Sequence, residues 1–206
     1  MFERSENNNN KQQTINKMIK KLVVLLFLLT TTLSFSQTLS EKATISILNC
    51  GTGNESYSLY GHTGIRINDP LQGIDIVFNY GAFDFETPNF MLKFVKGNLQ
   101  YFVTTNYFVD FEYTYRYEKR SIFEQEIDIS KEQKELLYQQ LVSSLTSNEK
   151  YYTYKFIERN CTTMVIDKVN KVLGNEYITT QKPVTISYRE MLYPYMENHF
   201  FEKLGI

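Results

Sequence analysis

The sequence has 206 residues, with 22 Lys plus Arg against 23 Asp plus Glu and a formal charge of −1. That length suits one domain with a tail and is ample for a hydrophobic core. Hydrophobic residues at 42% and charged residues at 22% exclude a largely disordered chain, and the near-zero charge excludes the basic footprint of a nucleic-acid binder. Thiol and imidazole chemistry is confined to Cys50, Cys161, His62 and His199, and a structural zinc site of four such ligands would consume them all. Tyr (16) and Phe (15) are abundant while Trp is absent.

Residues 1–36 read as an upstream extension followed by an export signal. Met1 to Lys17 is polar, and Met18 is the more natural start. Lys20-Lys21, the apolar run Leu22 to Leu29, and small residues up to Ser36 match the basic, hydrophobic and cleavage regions of a secretory signal peptide. The alternative is an uncleaved anchor, although eight solid apolar residues are few for a bilayer. Cleavage after Ser36 removes five basic and two acidic side chains and leaves a formal charge of −4 on residues 37–206. That remainder reads as a single exported domain.

In chain order, Thr44 to Leu48 reads as a strand and Glu55 to Tyr60 as a short helical turn. Thr63 to Asn68 and Ile74 to Tyr80 alternate as two strands around Asp69 to Gly73, a hairpin expected to fold about Pro70/Leu71. Phe90 to Val95 reads as a short helix, Leu99 to Thr104 and Phe123 to Ile129 as strands, and the aromatic stretch Phe108 to Tyr117 reads both ways. Ser130 to Gln133 is a capping box, with Leu136, Leu137, Leu141 and Leu145 as the expected buried stripe. Asn160 caps a second helix, Cys161 to Leu173, stopped by Gly174. A last helix, Ser187 to Phe201, is interrupted at Pro194. The fold class is α+β: an antiparallel sheet with packed helices.

Cys161 opens its helix, where unpaired N–H groups and the helix dipole favour thiolate over thiol and can hold an oxyanion. Its base must be a histidine, and His62, framed by Gly61 and Gly64 at a strand mouth, suits better than His199 in the aromatic C-terminal segment. A hairpin folded about Pro70/Leu71 puts Asn79 opposite His62, there to accept the Nδ1–H of the imidazole and orient it. Tyr80 and Asp84 are the substitutes should the register slip, and Tyr60 flanks the histidine. A Cys50–Cys161 disulfide is the competing arrangement in an exported chain.

Three blocks of sequence carry a family resemblance. They are Leu48 to Glu55 with Tyr57 to Thr63, Asn79 to Phe85 with Thr87 to Phe90 and Lys93 to Gly97, and Tyr152 to Thr163. In fixed order over residues 40–200, they resemble the Lnb N-terminal periplasmic domain family. The order of His before Cys also resembles circularly permuted NlpC/P60-type, papain-like thiol folds, including lecithin-retinol-acyltransferase-like enzymes. The resemblance implies N-acylation of lipoproteins, with an acyl chain passing from a phospholipid donor to the N-terminal amine of a lipoprotein acceptor through a thioester on Cys161. His62 would be the base, Asn79 its orienting partner and the Cys161 N–H an oxyanion donor. No cofactor or metal is required. Cys50 lies inside a matching block, so packing, site wall and nucleophile all stay open for it. A cell-wall amidase or peptidase using the same residues, and an idle accessory domain, are the alternatives.

Larger Lnb-type proteins continue into a hydrophobic membrane domain, whereas this sequence ends at Ile206. Peripheral membrane contact is therefore expected through exposed Phe90, Phe94, Phe108 and Phe111, with Lys93 and Lys96 beside headgroups.

Overall fold

A computed structural model describes residues 15–22, 38–174, 177–179, 185–200 and 203. The chain divides into Met1–Thr38, where residues 15–22 form helix α1, and the compact unit Leu39–Ile206. Apart from Leu22, the apolar run and the expected cleavage site at Ser36 lie outside the described residues. So does Phe201, the expected end of the last helix.

The compact unit is built on one six-stranded sheet of order β5-β1-β2-β3-β4-β6, every neighbouring pair antiparallel. The strands are β1 (Thr44–Cys50), β2 (His62–Asp69), β3 (Ile74–Ala82), β4 (Gln100–Tyr107), β5 (Ile122–Glu126) and β6 (Tyr151–Thr153). The helices are α2 (Phe90–Val95), α3 (Phe108–Tyr117), α4 (Lys131–Thr146), α5 (Cys161–Leu173) and α6 (Tyr188–Leu192). The segment Glu55 to Tyr60 forms hydrogen-bonded turns, Ser58 N–H to Glu55 O and Gly61 N–H to Ser58 O, rather than a helix.

Alternation along the strands splits the apolar residues between two faces. Ile45, Ile65, Ile67, Phe78, Tyr80 and Val103 meet Leu137 and Leu141 of α4 and Val165 and Val169 of α5 in the main core. Leu136 belongs to the other side of α4 and is exposed, so the buried stripe runs Leu137, Tyr138, Leu141, Ser144. On the opposite face, Leu48, Cys50 and Val77 lie under Phe111 and Tyr115 of α3.

That second core settles the ambiguous aromatic stretch as a helix. Phe111 and Tyr115 stand four residues apart, on one helical face, with ring centroids 4.6 Å apart. It also corrects the expected lipid contacts. Phe111 is buried and Phe108 is half-buried with the Arg66 guanidinium 3.4 Å above its ring, so neither is offered to a membrane.

The β2–β3 hairpin differs from expectation by two residues. Gly64, not His62, stands opposite Asn79, and Asp69 pairs with Ile74. The cause is the loop: the buried Asp69 carboxylate accepts the Leu71 and Gln72 N–H groups, and Gly73 closes the turn at φ 66°. A shift of two preserves the face on which each side chain lies, so His62 and Asn79 remain diagonal neighbours.

Candidate functional site

The site forms where the mouth of β2, the end of β3 and the start of α5 converge. The position of α5 is set by its cap. Asn160 Oδ1 accepts the Thr163 N–H at 2.9 Å, and Thr163 Oγ1 accepts the Asn160 N–H at 2.9 Å. The Asn160 amide also donates to the Phe156 carbonyl at 2.9 Å, tying the preceding turn to the helix. With Thr163 capped and the Met164 N–H closing on Asn160 O, helix geometry leaves the N–H groups of Cys161 and Thr162 for the site.

Cys161 is half-buried, and the His62 ring is close enough to act on its thiol. Burial alone would raise this thiol; the His62 ring, with the Thr63 backbone and the Thr162 side chain, outweighs burial and holds it below the ordinary cysteine value. The neighbouring hydroxyls of Thr63 and Thr162 meet at 2.8 Å, tying the mouth of β2 to the first turn of α5.

His62 Nε2 lies 3.0 Å from Asn79 Oδ1. The Asn79 amide nitrogen donates to the Val77 carbonyl at 3.3 Å and to Asn106 Oδ1 at 3.0 Å, so its oxygen is the atom facing the ring. With Nε2 donating to Asn79, the neutral imidazole carries its lone pair on Nδ1, the ring nitrogen left for proton transfer. This reverses the expected contact, in which Asn79 accepted from Nδ1. Asn106 was invisible to sequence reasoning because β4 was expected to end at Thr104, two residues short of it; the strand runs on to Tyr107.

Cys50 sits elsewhere. It is buried beside Leu48, Val77, Phe111 and Tyr115, and burial pushes its thiol up to about 11 despite a hydrogen bond with Tyr115. Both cysteines are free, so the Cys50–Cys161 disulfide is not present. Native iodoacetamide labelling should therefore modify one thiol per chain, mapped to Cys161, and a second only after unfolding. Peptide mass spectrometry checks this, and labelling of Cys50 first would contradict the assignment of burial.

The remaining sequence candidates separate. Tyr60 lines the cleft over Cys161, packed edge-on against Phe156 at 4.9 Å. Tyr80 contributes to the cleft wall, but its hydroxyl points to Ser144 Oγ at 3.3 Å and burial pushes it up to about 12. Asp84 is exposed and lines a separate polar cavity with Lys93 and Asn98, away from the thiol. His199 lies in the C-terminal segment and is not among the cleft residues.

The cleft itself encloses about 350 Å³. Tyr57, Phe83, Phe94, Tyr101, Tyr154 and Phe156 make its wall largely aromatic, and His62, Asn160, Cys161 and Thr162 are among its polar lining residues. None of its described lining residues is an Asp, Glu, Lys or Arg. Nor do the described residues bring together three or more His, Cys, Asp or Glu as a metal site would require. The arrangement is suited to carbonyl attack by a thiolate: a nucleophile, a tautomerically fixed base, an orienting amide and two N–H groups for an oxyanion.

The sequence model of the Lnb N-terminal periplasmic domain family matches residues 33–192. The chain belongs to this family. No curated protein and no solved structure matches it significantly. The matched span contains β1 through α6, so the whole sheet and every member of the Cys161 site fall within the Lnb N-terminal periplasmic domain. None of the described helices is long and apolar enough to cross a membrane.

Proposed function

We propose that this Lnb-type domain is a cysteine-dependent acyltransferase of the periplasm, reached by way of a cleaved signal peptide. The proposed donor is a phospholipid and the acceptor the N-terminal amine of a lipoprotein. The observation that carries the reading is the aromatic cleft opening on Cys161: with no Lys, Arg, Asp or Glu among its described lining residues, it suits a hydrocarbon chain better than the carboxylates of a cell-wall peptide. The order of His62 before Cys161 agrees with a circularly permuted NlpC/P60-type core, the same chemistry on a related plan.

In the first half-reaction the Cys161 sulfur attacks the donor ester carbonyl. A C–S bond forms, the ester C–O bond breaks, and His62 passes the thiol proton to the departing glyceryl oxygen, releasing lysophospholipid. In the second, the acceptor amine attacks the thioester carbonyl. A C–N bond forms, the C–S bond breaks, and the amine proton returns through His62 to the sulfur. Asn79 keeps the imidazole turned throughout, and the Cys161 and Thr162 N–H groups take the oxyanion charge.

Lipid access would run across the rim beside the cleft. There Tyr57 and Phe85 are more than half exposed and Phe94 stacks on Phe90 at 6.0 Å, with Lys93 on the same short helix.

The test is incubation with phospholipid vesicles plus a diacylated lipopeptide, and separately with purified peptidoglycan. Acyl transfer predicts lysophospholipid and N-acylated lipopeptide in equal amounts, both lost in Cys161→Ala. Release of peptide fragments from peptidoglycan with no lipopeptide product would select the amidase reading instead.

A further inference from the structure

A second cavity of about 150 Å³ adjoins the cleft, sharing Phe94, Tyr101, Tyr154 and Phe156 with it and adding only Gly97 and Leu99. The described lining is four aromatic rings, one leucine and one glycine, with no charged side chain. Tyr101 and Tyr154 stack at 4.4 Å, and Tyr101 is itself buried. Burial pushes both phenols upward, Tyr101 to about 12, so this wall stays neutral at any physiological pH. Leu99 is 2% exposed and belongs to the main core, so the part of the chamber's lining that it forms is a packed surface that yields little. Cys161 and His62 line the cleft and not the chamber.

We infer that this chamber is a hydrocarbon-chain subsite, receiving the tail of an unbranched acyl group whose carbonyl end lies at Cys161, and that Leu99 and Phe94 set the chain length it accepts. The inference deepens the acyltransferase reading and rests on it for the identity of the carbonyl end; binding of the tail is measurable without any transfer. Each methylene moved from water into the chamber should tighten binding about fourfold until the chamber is filled.

The chain contains no Trp, so Phe94→Trp installs a single fluorophore on the wall shared by cleft and chamber. The full chain carrying Phe94→Trp and Cys161→Ala is titrated with brominated straight-chain fatty acids of increasing length, kept monomeric. The expected result is saturable quenching that tightens with length and then levels, with Leu99→Phe moving the plateau to shorter chains. Phe94→Ala in the reactive chain, at a position already 41% exposed, keeps the question open should Leu99→Phe fail to fold. It should change the decanoate-to-acetate ratio for acylation of Cys161 by p-nitrophenyl esters at least tenfold. Cys161 acylation by the acetate ester, with no saturable quenching and no change in that ratio, would overturn the subsite while leaving the thiol reading intact. Saturable, length-dependent quenching without any acylation would support the subsite and count against the transferase.

Discussion

Replacing His62 by Ala is expected to cut acylation of Cys161 by about 10²–10⁴-fold, the usual contribution of a positioned general base. It should also move the pH profile of iodoacetamide alkylation upward. The sign follows from the contacts: thiolate is the reactive form, His62 is the largest influence lowering the Cys161 thiol, and burial, the influence that raises it, remains after substitution. Below the ordinary thiol range the variant should react more slowly than the parent, and the two rates should converge at high pH. Asn79→Ala should slow acylation less, because the ring remains but neither its tautomer nor its orientation is held from Nε2. An alkylation profile unchanged in His62→Ala would show that the imidazole does not govern the thiol.

The second large effect is structural and lies one residue earlier. Gly61 has φ 76°, and a Cβ built there falls 2.3 Å from the Cys50 carbonyl oxygen, a backbone atom that cannot swing aside. Gly61→Ala should cost about 3 kcal/mol and lower Tm by about 6–12 °C, with loss of native Cys161 reactivity as the mouth of β2 is pushed away. Gly73→Ala is the control. Its φ is 66°, but nothing lies within 4 Å of the added carbon, so the cost should be only the left-handed backbone, about 1 kcal/mol. Thermal unfolding of both variants measures the difference, and equal losses would remove the close-approach argument.

Local chemistry made part of this legible in sequence. The start of α5 was readable because Asn160 and Thr163 form a reciprocal cap, and the cap places Cys161 on the first helical residue whatever the tertiary context. The β2–β3 hairpin was readable as a hairpin, yet its register was set by two backbone N–H groups captured by Asp69, a choice that turn composition does not announce. Even parity rescued the His62–Asn79 pairing: a slip of one would have sent Asn79 to the main core. What failed was non-local. Phe111 looked like a lipid contact because its cover, Leu48 of β1 and Val77 of β3, lies in other elements. The cleft draws its wall from the turn before β2, the end of β3, α2, β4, the turn before α5, and α6, so its lack of charge is a property of the fold rather than of any segment. Cys50 and Cys161 have the same sequence weight; the fold separates a packed thiol from a reactive one by covering Cys50 with Phe111 and Tyr115 and by bringing His62 to Cys161.

The most direct test of the central claim is intact-mass analysis of the full chain after incubation with phospholipid vesicles and no acceptor. The account predicts a single adduct of one acyl chain, removed by hydroxylamine, mapped to Cys161 and absent from both Cys161→Ala and His62→Ala. An unmodified chain beside accumulated lysophospholipid, or an adduct mapped to Cys50, would contradict it.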